Sequence, residues 1–414
     1  MKKFYLAIVI LTLPSISFAY SNATIKLSNS GILLWETLNV DKDYYGALDS
    51  DLITDNLGHL YLSEGGKLTQ YDLLGNEVWH DDFTAFDMET DSSGNFYYSN
   101  YYEDIDFIES RNQDNVKRWQ KKYKNYFFDD ILLDRYDDVY LFATKKPNSY
   151  YIYNCSVHKY SNLGVIQWKK TISEDHGWPF SVHSVYMWDE QIIILGGTSD
   201  ITEDDEEYFI VVSVLDLNGN ELSFNYLEYA DFDLAIIDQA GDLIVAWYDV
   251  KKYSINGQLL WQYEFDSLEV LDLTIDNDNN IIGMGRMLRS AQRDVSYNVV
   301  TFKLNSEGEM LWQKKYEREY LEAKTVLVDS VNNIVTVGYE CQDSGEGYYD
   351  CRYFALKYDS DGELLWHETY QPYEGYSAFA SDAVLDDEDN IYITGYSYDP
   401  TDVEDDDEPG CGCF

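Results

Sequence analysis

Short apolar runs, each broken by a polar turn, recur along the whole chain. One kind of run follows an Asn or its equivalent: NIVTVG (333–338), NIIGMG (280–285), NIYITG (390–395), QIIILG (191–196) and HLYLSE (59–64). Another ends on an Asp, as in TVLVD (325–329), LAIID (234–238) and DILLD (130–134). A third precedes a Gly turn, as in YFALKYD (353–359), NVVTFKLN (298–305) and FIVVSVLD (209–216), and a fourth carries a Trp just beyond that turn. Runs this short, rich in Val, Ile and aromatic residues and punctuated by Asp, Asn and Gly, read as β-strands. In chain order they form a unit of four strands, A to D, repeated at a period of about 47 residues.

The two turns explain the residues that mark the repeat. Asp55, Asp91, Asp134, Asp238, Asp276, Asp329 and Asp386 stand at the A–B turn, where the carboxylate accepts backbone N–H bonds from the residues that follow. The fourth copy departs and places Met187 there. Gly31, Gly75, Gly164, Gly219, Gly257, Gly308 and Gly362 stand at the C–D turn, which calls for a positive φ; the third copy uses Asn115. Four residues on come Trp35, Trp79, Trp119, Trp168, Trp261, Trp312 and Trp366, with Ser223 beside Phe224 in the odd copy. A large ring in one strand register belongs in packing between adjacent sheets.

The ends of the array predict how it closes. A lone C–D pair, ATIKLSNSGILLW (23–35), precedes the first full unit, and a lone A–B pair, SDAVLDDEDNIYITG (381–395), follows the last. Paired, they complete an eighth blade and remove the open sheet edges. The expected fold is all-β: a single β-propeller of eight four-stranded blades. Seven blades, with residues around unit four left out, is the alternative.

Composition refines this. The chain has 414 residues, 45% hydrophobic and 16% aromatic, with 39 Tyr and a formal net charge of −47. A field of that sign repels nucleic acid and anionic membranes, so no nucleic-acid partner is expected. Residues 1–19 have the form of a secretory signal, with Lys2 and Lys3, an apolar run over 4–13, and Ser17-Phe18-Ala19 before the cut. The expected domains are therefore a signal peptide (1–19), the propeller (20–398) and an acidic tail with Cys411 and Cys413 (399–414). The expected product is exported, periplasmic, extracellular or surface-associated, a monomer without an integral membrane span. Five cysteines suit an oxidising compartment, and Cys341 and Cys351 flank one hairpin tip as a candidate disulfide.

The phrase Asp-x-x-(Gly/Asn)-Asn-Ile-Tyr-x-x-Gly resembles the β-propeller repeats of bacterial exported proteins. The Gly-x-x-x-Trp phrase is similar to the tryptophan-docking repeats of quinoprotein dehydrogenases and outer-membrane assembly scaffolds. The resemblance implies a propeller; it does not imply one function. The chain lacks the adjacent Cys-Cys pair common in those quinoproteins and the lipidated N-terminal Cys of the scaffolds.

Chemistry is sparse. No His-Glu-x-x-His, no Gly-x-Ser-x-Gly elbow and no phosphate-cradling loop occurs, and the sequence names no catalytic residue, metal ligand or cofactor. The B–C and D–A connections vary in length, and variable loops on a rigid frame are where binding resides. On that face the candidate ligand residues are Arg286, Arg289 and Arg293 as an anion anchor, and Tyr150, Tyr151 and Trp178 as stacking platforms. Balancing of surrounding acids is the plain alternative for the arginines. The expected function is a non-enzymatic scaffold for a protein or surface ligand; a glycan-binding or glycan-active propeller and a quinoprotein-type enzyme are the alternatives.

Overall fold

The computed structural model describes residues 21–39, 51–102 except 65, 105–145, 154–172, 180–200, 207–227, 234–288, 297–318, 320–345, 348–372 and 376–398. Among these, the strands form eight antiparallel four-stranded sheets. Seven are sequential: blades one to seven span 51–81, 86–124, 126–171, 181–227, 234–264, 268–316 and 320–370. The eighth joins the termini in the order Leu33–Asn39, Ser21–Leu27, Ile391–Tyr398, Ser377–Leu385. Ile25 opposes Ile393, and the Thr24 and Thr394 hydroxyls meet at 2.9 Å inside the seam. Eight blades are present; the seven-blade alternative falls because 181–227 folds as a regular blade.

The first strands of successive blades contact one another around the whole ring, which places strand A at the axis and strand D at the rim. Between neighbouring sheets lie apolar layers. One packs Ile25, Ile391 and Ile393 of the closing blade against Val335, Val337 and Tyr353 of blade seven.

The turns behave as their residues dictate. Asp329 Oδ1 accepts the N–H groups of Val331 and Asn333 at 3.0 and 2.8 Å, and the other six turn aspartates repeat this pattern. Gly362 has φ 81° and Asn115 φ 61°. Blade four needs a correction of one residue. Met187 pairs with Ile192 and Trp188 with Gln191, so Trp188, not Met187, ends its first strand at the site of the missing Asp.

Each Trp docks on the next blade. The Trp366 indole donates to Asn29 O at 3.1 Å, Trp312 to Ser360 O at 3.1 Å and Trp168 to Leu217 O at 3.0 Å. A Cβ on Gly362 would lie 2.7 Å from the Trp312 ring, so glycine there serves both the turn and the docking. Blade four reaches the same end by other means: Asn225 Nδ2 donates to Ile255 O at 3.3 Å, and Trp188 lies on Gly241.

Most first strands carry a β-bulge, as between Ala323 and Thr325 and between Ala380 and Asp382. The bulge pushes a carbonyl onto strand B. A Cβ on Gly338 would meet Glu322 O at 2.0 Å, and one on Gly395 would meet Phe379 O at 2.0 Å. This close approach is why the strand-B phrase ends in Gly.

Candidate functional site: the axis and its two ends

The A–B and C–D turns share one end of the ring, and the B–C and D–A connections share the other. The first end is occupied by internal bonds. In five blades a strand-C lysine lies across from the docking Trp position and is itself buried: Lys26, Lys159, Lys252, Lys303 and Lys357 are 1–6% exposed. Each pairs with its own blade's turn aspartate, Lys26 with Asp386 at 2.9 Å, Lys159 with Asp134 at 3.2 Å, Lys252 with Asp238 at 2.6 Å, Lys303 with Asp276 at 2.8 Å and Lys357 with Asp329 at 2.7 Å. Lys303 Nζ also reaches Ser360 O of the next blade, the carbonyl that Trp312 uses. Asp, Lys and Trp thus form one clamp between neighbouring blades.

The clamp sets the protonation of its acids. Burial alone would raise Asp386, but the Lys26 ammonium, the Asn390 amide and the Asn390 N–H hold it below the usual carboxylate range. Asp238, Asp276 and Asp329 are lowered in the same way, each against its burial, by its lysine and the turn that follows. Blade one replaces the lysine with Gln70 and sets His59 on Asp55 at 2.9 Å. Blade two uses Arg118, 3.6 Å from Asp91. Blade four lacks all three members, having Trp188, Val214 and Ser223 in their places.

Four residues upstream of the turn, a second tier of acids stands on the axial strands: Asp51, Asp87, Asp130, Asp272 and Asp382, with Ser184, Leu234 and Thr325 at the same place in the other blades. Glu89 and Asp129 add to it. Among the described residues no lysine pairs with these groups. Burial raises Asp382 to about 7, reinforced by the charges of Asp51 and Asp272 and opposed by the Ala383 N–H. Burial likewise raises Asp130, Asp129 and Glu89 to about 7 and Asp87 to about 6, each further raised by one or more neighbouring carboxylates. Asp272 and Asp51 are also raised by burial, against the bonds they accept. These acids tie neighbouring axial strands together. Asp272 Oδ2 accepts from Thr325 Oγ1 at 2.8 Å and the Val326 N–H at 2.7 Å, both on blade seven. Burial and mutual repulsion thus favour the protonated form across this tier. Among the described residues no group of three or more His, Cys, Asp or Glu is arranged to hold a metal ion.

The candidate residues fare unevenly. Arg286 lies near the end of strand B in blade six and is held by Glu269 at 2.7 and 3.1 Å, which is local balancing of charge. Arg289, Arg293, Tyr150, Tyr151 and Trp178 lie outside the described residues, as do 1–20 and the tail 399–414. Cys341 and Cys351 are joined by a disulfide across strands B and C of blade seven, and Cys155 is a buried free thiol. Sequence reasoning missed both the lysine clamp and the axial acids. The signal for the second was present as Asp-x-x-x-Asp in DLITD (51–55), DMETD (87–91), DILLD (130–134), DLTID (272–276) and DAVLD (382–386).

No protein-family model matches the chain, and no curated protein matches its sequence. Among solved structures it is similar to the Dos1 propeller, at 10% identity and TM-score 0.51, over 75% of this chain and 78% of that one. It is also similar to the C-terminal WD40 domain of Sif2, at 11% identity and TM-score 0.49, over 77% and 87%. Hsv2 of Kluyveromyces lactis gives 9% identity and TM-score 0.46, over 78% and 97%. At such identity the Dos1 likeness shows the β-propeller fold and nothing more. Among the described residues no helix is long and apolar enough to cross a membrane.

Proposed function

We propose that this chain is an exported, non-enzymatic propeller scaffold that binds a protein or surface ligand through the end bearing the B–C and D–A connections. The observation that carries this is the unequal use of the two ends. At the turn end, the Asp, Lys and Trp side chains and the turn carbonyls are consumed in blade-to-blade bonds. The other end carries connections of unequal length and composition, such as 146–153, 201–206 and 289–296, on a frame that does not depend on them for closure. The blade-to-blade tryptophans support kinship with tryptophan-docking propellers, and the 1–19 segment supports export.

The test is capture of partners from the envelope fraction of the secreting cell. Replacing 146–153 and 289–296 with short Gly-Ser turns should abolish capture while leaving the melting temperature unchanged. Capture of the same partners by the shortened protein removes the reading. So does recovery from the cell of a chain that retains residues 1–19.

A further inference from the structure

We propose that the outer groove between blade seven and the closing blade is a docking site for a cationic, amphipathic segment of a partner protein, with a lysine or arginine entering between apolar walls and two carboxylates. The site lies on the outer wall, away from the loop-bearing end, and does not depend on the reading above.

The seam of the ring builds this groove. Its floor is apolar, since Ile25 and Leu27 of the closing blade pack against Tyr353 and Ala355 of blade seven. Above them the two rim strands, Leu33–Asn39 and Leu364–Tyr370, leave a cavity of about 90 Å³ with Leu33, Glu368 and Thr369 in its lining. A single water takes roughly 10–15 Å³ of such space, so the cavity suits one long side chain. Leu33, the register partner of Leu27, is exposed at its mouth, and so is Ile32 beside it.

Two acids stand on the walls. Glu368 is the register partner of Ala355, and its stem lies over Gly31, where an added Cβ would come within 3.1 Å of Glu368 Cγ. Glu36 is the register partner of Ile25 and faces the same groove from the closing blade. Both are exposed, and among the described residues neither forms an ion pair. Partial burial raises the Glu36 carboxyl above its ordinary value, so a cation beside it relieves a standing electrostatic cost. The two rim strands, LLWETLN and LLWHETY, contain no Lys or Arg. Lys357 shares the blade-seven face but is buried on Asp329 at 2.7 Å. Among the described residues no other groove places two carboxylates at these register positions. Between blades six and seven they are Lys314 and His367; between blades one and two they are Asp81 and Gln120, with Asp81 tied to Arg111.

These features select the occupant. Lys and Arg join an aliphatic stem to a charged head, which matches an apolar floor under acidic walls. The net charge of −47 draws cations and repels acidic segments and a second copy alike. Exposed Ile32 and Leu33 call for apolar residues beside the cation, which a polypeptide supplies and a bare polyamine does not.

The test titrates the full-length protein with a fluorescein-labelled hexapeptide of alternating leucine and lysine, alongside the matching leucine–glutamate peptide and spermidine. The leucine–lysine peptide should bind in a salt-sensitive manner and the leucine–glutamate peptide should not. Spermidine should compete only at about tenfold higher concentration or more. Glu36→Gln with Glu368→Gln should weaken binding by about tenfold or more, and Leu33→Ala by about threefold. Glu307→Gln with Glu309→Gln removes the same charge from exposed positions on blade six and should change binding less than about twofold. Failure of the leucine–lysine peptide to bind, unchanged binding by the Glu36 and Glu368 variant, an equal loss in the blade-six variant or equal competition by spermidine overturns the proposal. So does dimerisation of the free protein that the Glu36 and Glu368 replacement abolishes, which gives the groove to a second copy.

Discussion

Asp382 lies on the axial strand Ser377–Leu385 and Asp386 at the turn that follows it, and their carboxyls are displaced in opposite directions. Asp386 is buried beside the Lys26 ammonium and accepts three bonds from Asn390, so it stays ionised below the usual range. Asp382 is buried with only the Ala383 N–H, facing the charges of Asp51 and Asp272, and is raised to about 7. Burial is common to both; what differs is whether a cation came with it. The same contrast repeats in Asp272 against Asp276. The fold therefore carries two tiers of carboxylate, one that fastens the ring when charged and one that is more comfortable neutral.

The largest expected effect is a stability optimum in mildly acidic solution. For the turn tier the folded pKa lies below the unfolded one, so its stabilisation is present above about 4 and is lost as pH falls through the lowered value. For the axial tier the folded pKa lies above the unfolded one. Its contribution is complete below about 4 and is lost as pH rises through about 6 to 7. Because the unfolded acids ionise near 4 while the folded ones stay protonated to about 6 to 7, that loss begins at about 4, and the two windows meet there. The melting temperature measured across pH 3 to 9 should peak there, and a flat or alkaline optimum contradicts the two-tier account.

Next in size is removal of one clamp. Asp386→Asn leaves Lys26 buried without its counter-charge at the seam that closes the ring, and breaking a buried pair from one side costs about 3–5 kcal/mol. Denaturant unfolding at pH 6 measures it. A loss under about 1 kcal/mol, the size of a surface pair, shows that the clamp does not hold the seam.

Much of this was legible in the residues. The strands, the Asp and Gly turns and the closing blade all follow from local chemistry: a side chain bonding its own turn, a φ that glycine tolerates, two half-units in want of edges. The lysine clamp was harder, because Lys357 and Asp329 lie in different strands and meet only when both turns share one end of the ring. In sequence, YFALKYD reads as a strand with one polar position. Gly338 and Gly395 are visible at the ends of their strand-B phrases, yet their cause, a bulged carbonyl from strand A, belongs to another strand. Blade four misled by one residue, since its hairpin is shorter and Trp188 occupies the position given to Met187. Arg286 is held by Glu269, while Arg289 and Arg293 lie outside the described residues.

The smallest of these effects is also the one that separates the tiers most cleanly. Asp382→Asn keeps an oxygen for the Ala383 N–H and removes the charge that faces Asp51 and Asp272. At pH 8, where the wild-type carboxyl is ionised at a cost, the substitution should stabilise the protein by about 1–3 kcal/mol. At about pH 3, below both values, the carboxyl is protonated in the folded and the unfolded chain alike, so the change should fall within about 0.5 kcal/mol of zero. One chemical replacement thus destabilises at position 386 and stabilises at position 382, the second only above about pH 4. Unfolding curves for both variants at both pH values decide it. If Asp382→Asn destabilises at pH 8, the axial carboxylates are structural acceptors that require their charge, and the contrast between the two tiers collapses to one of burial alone.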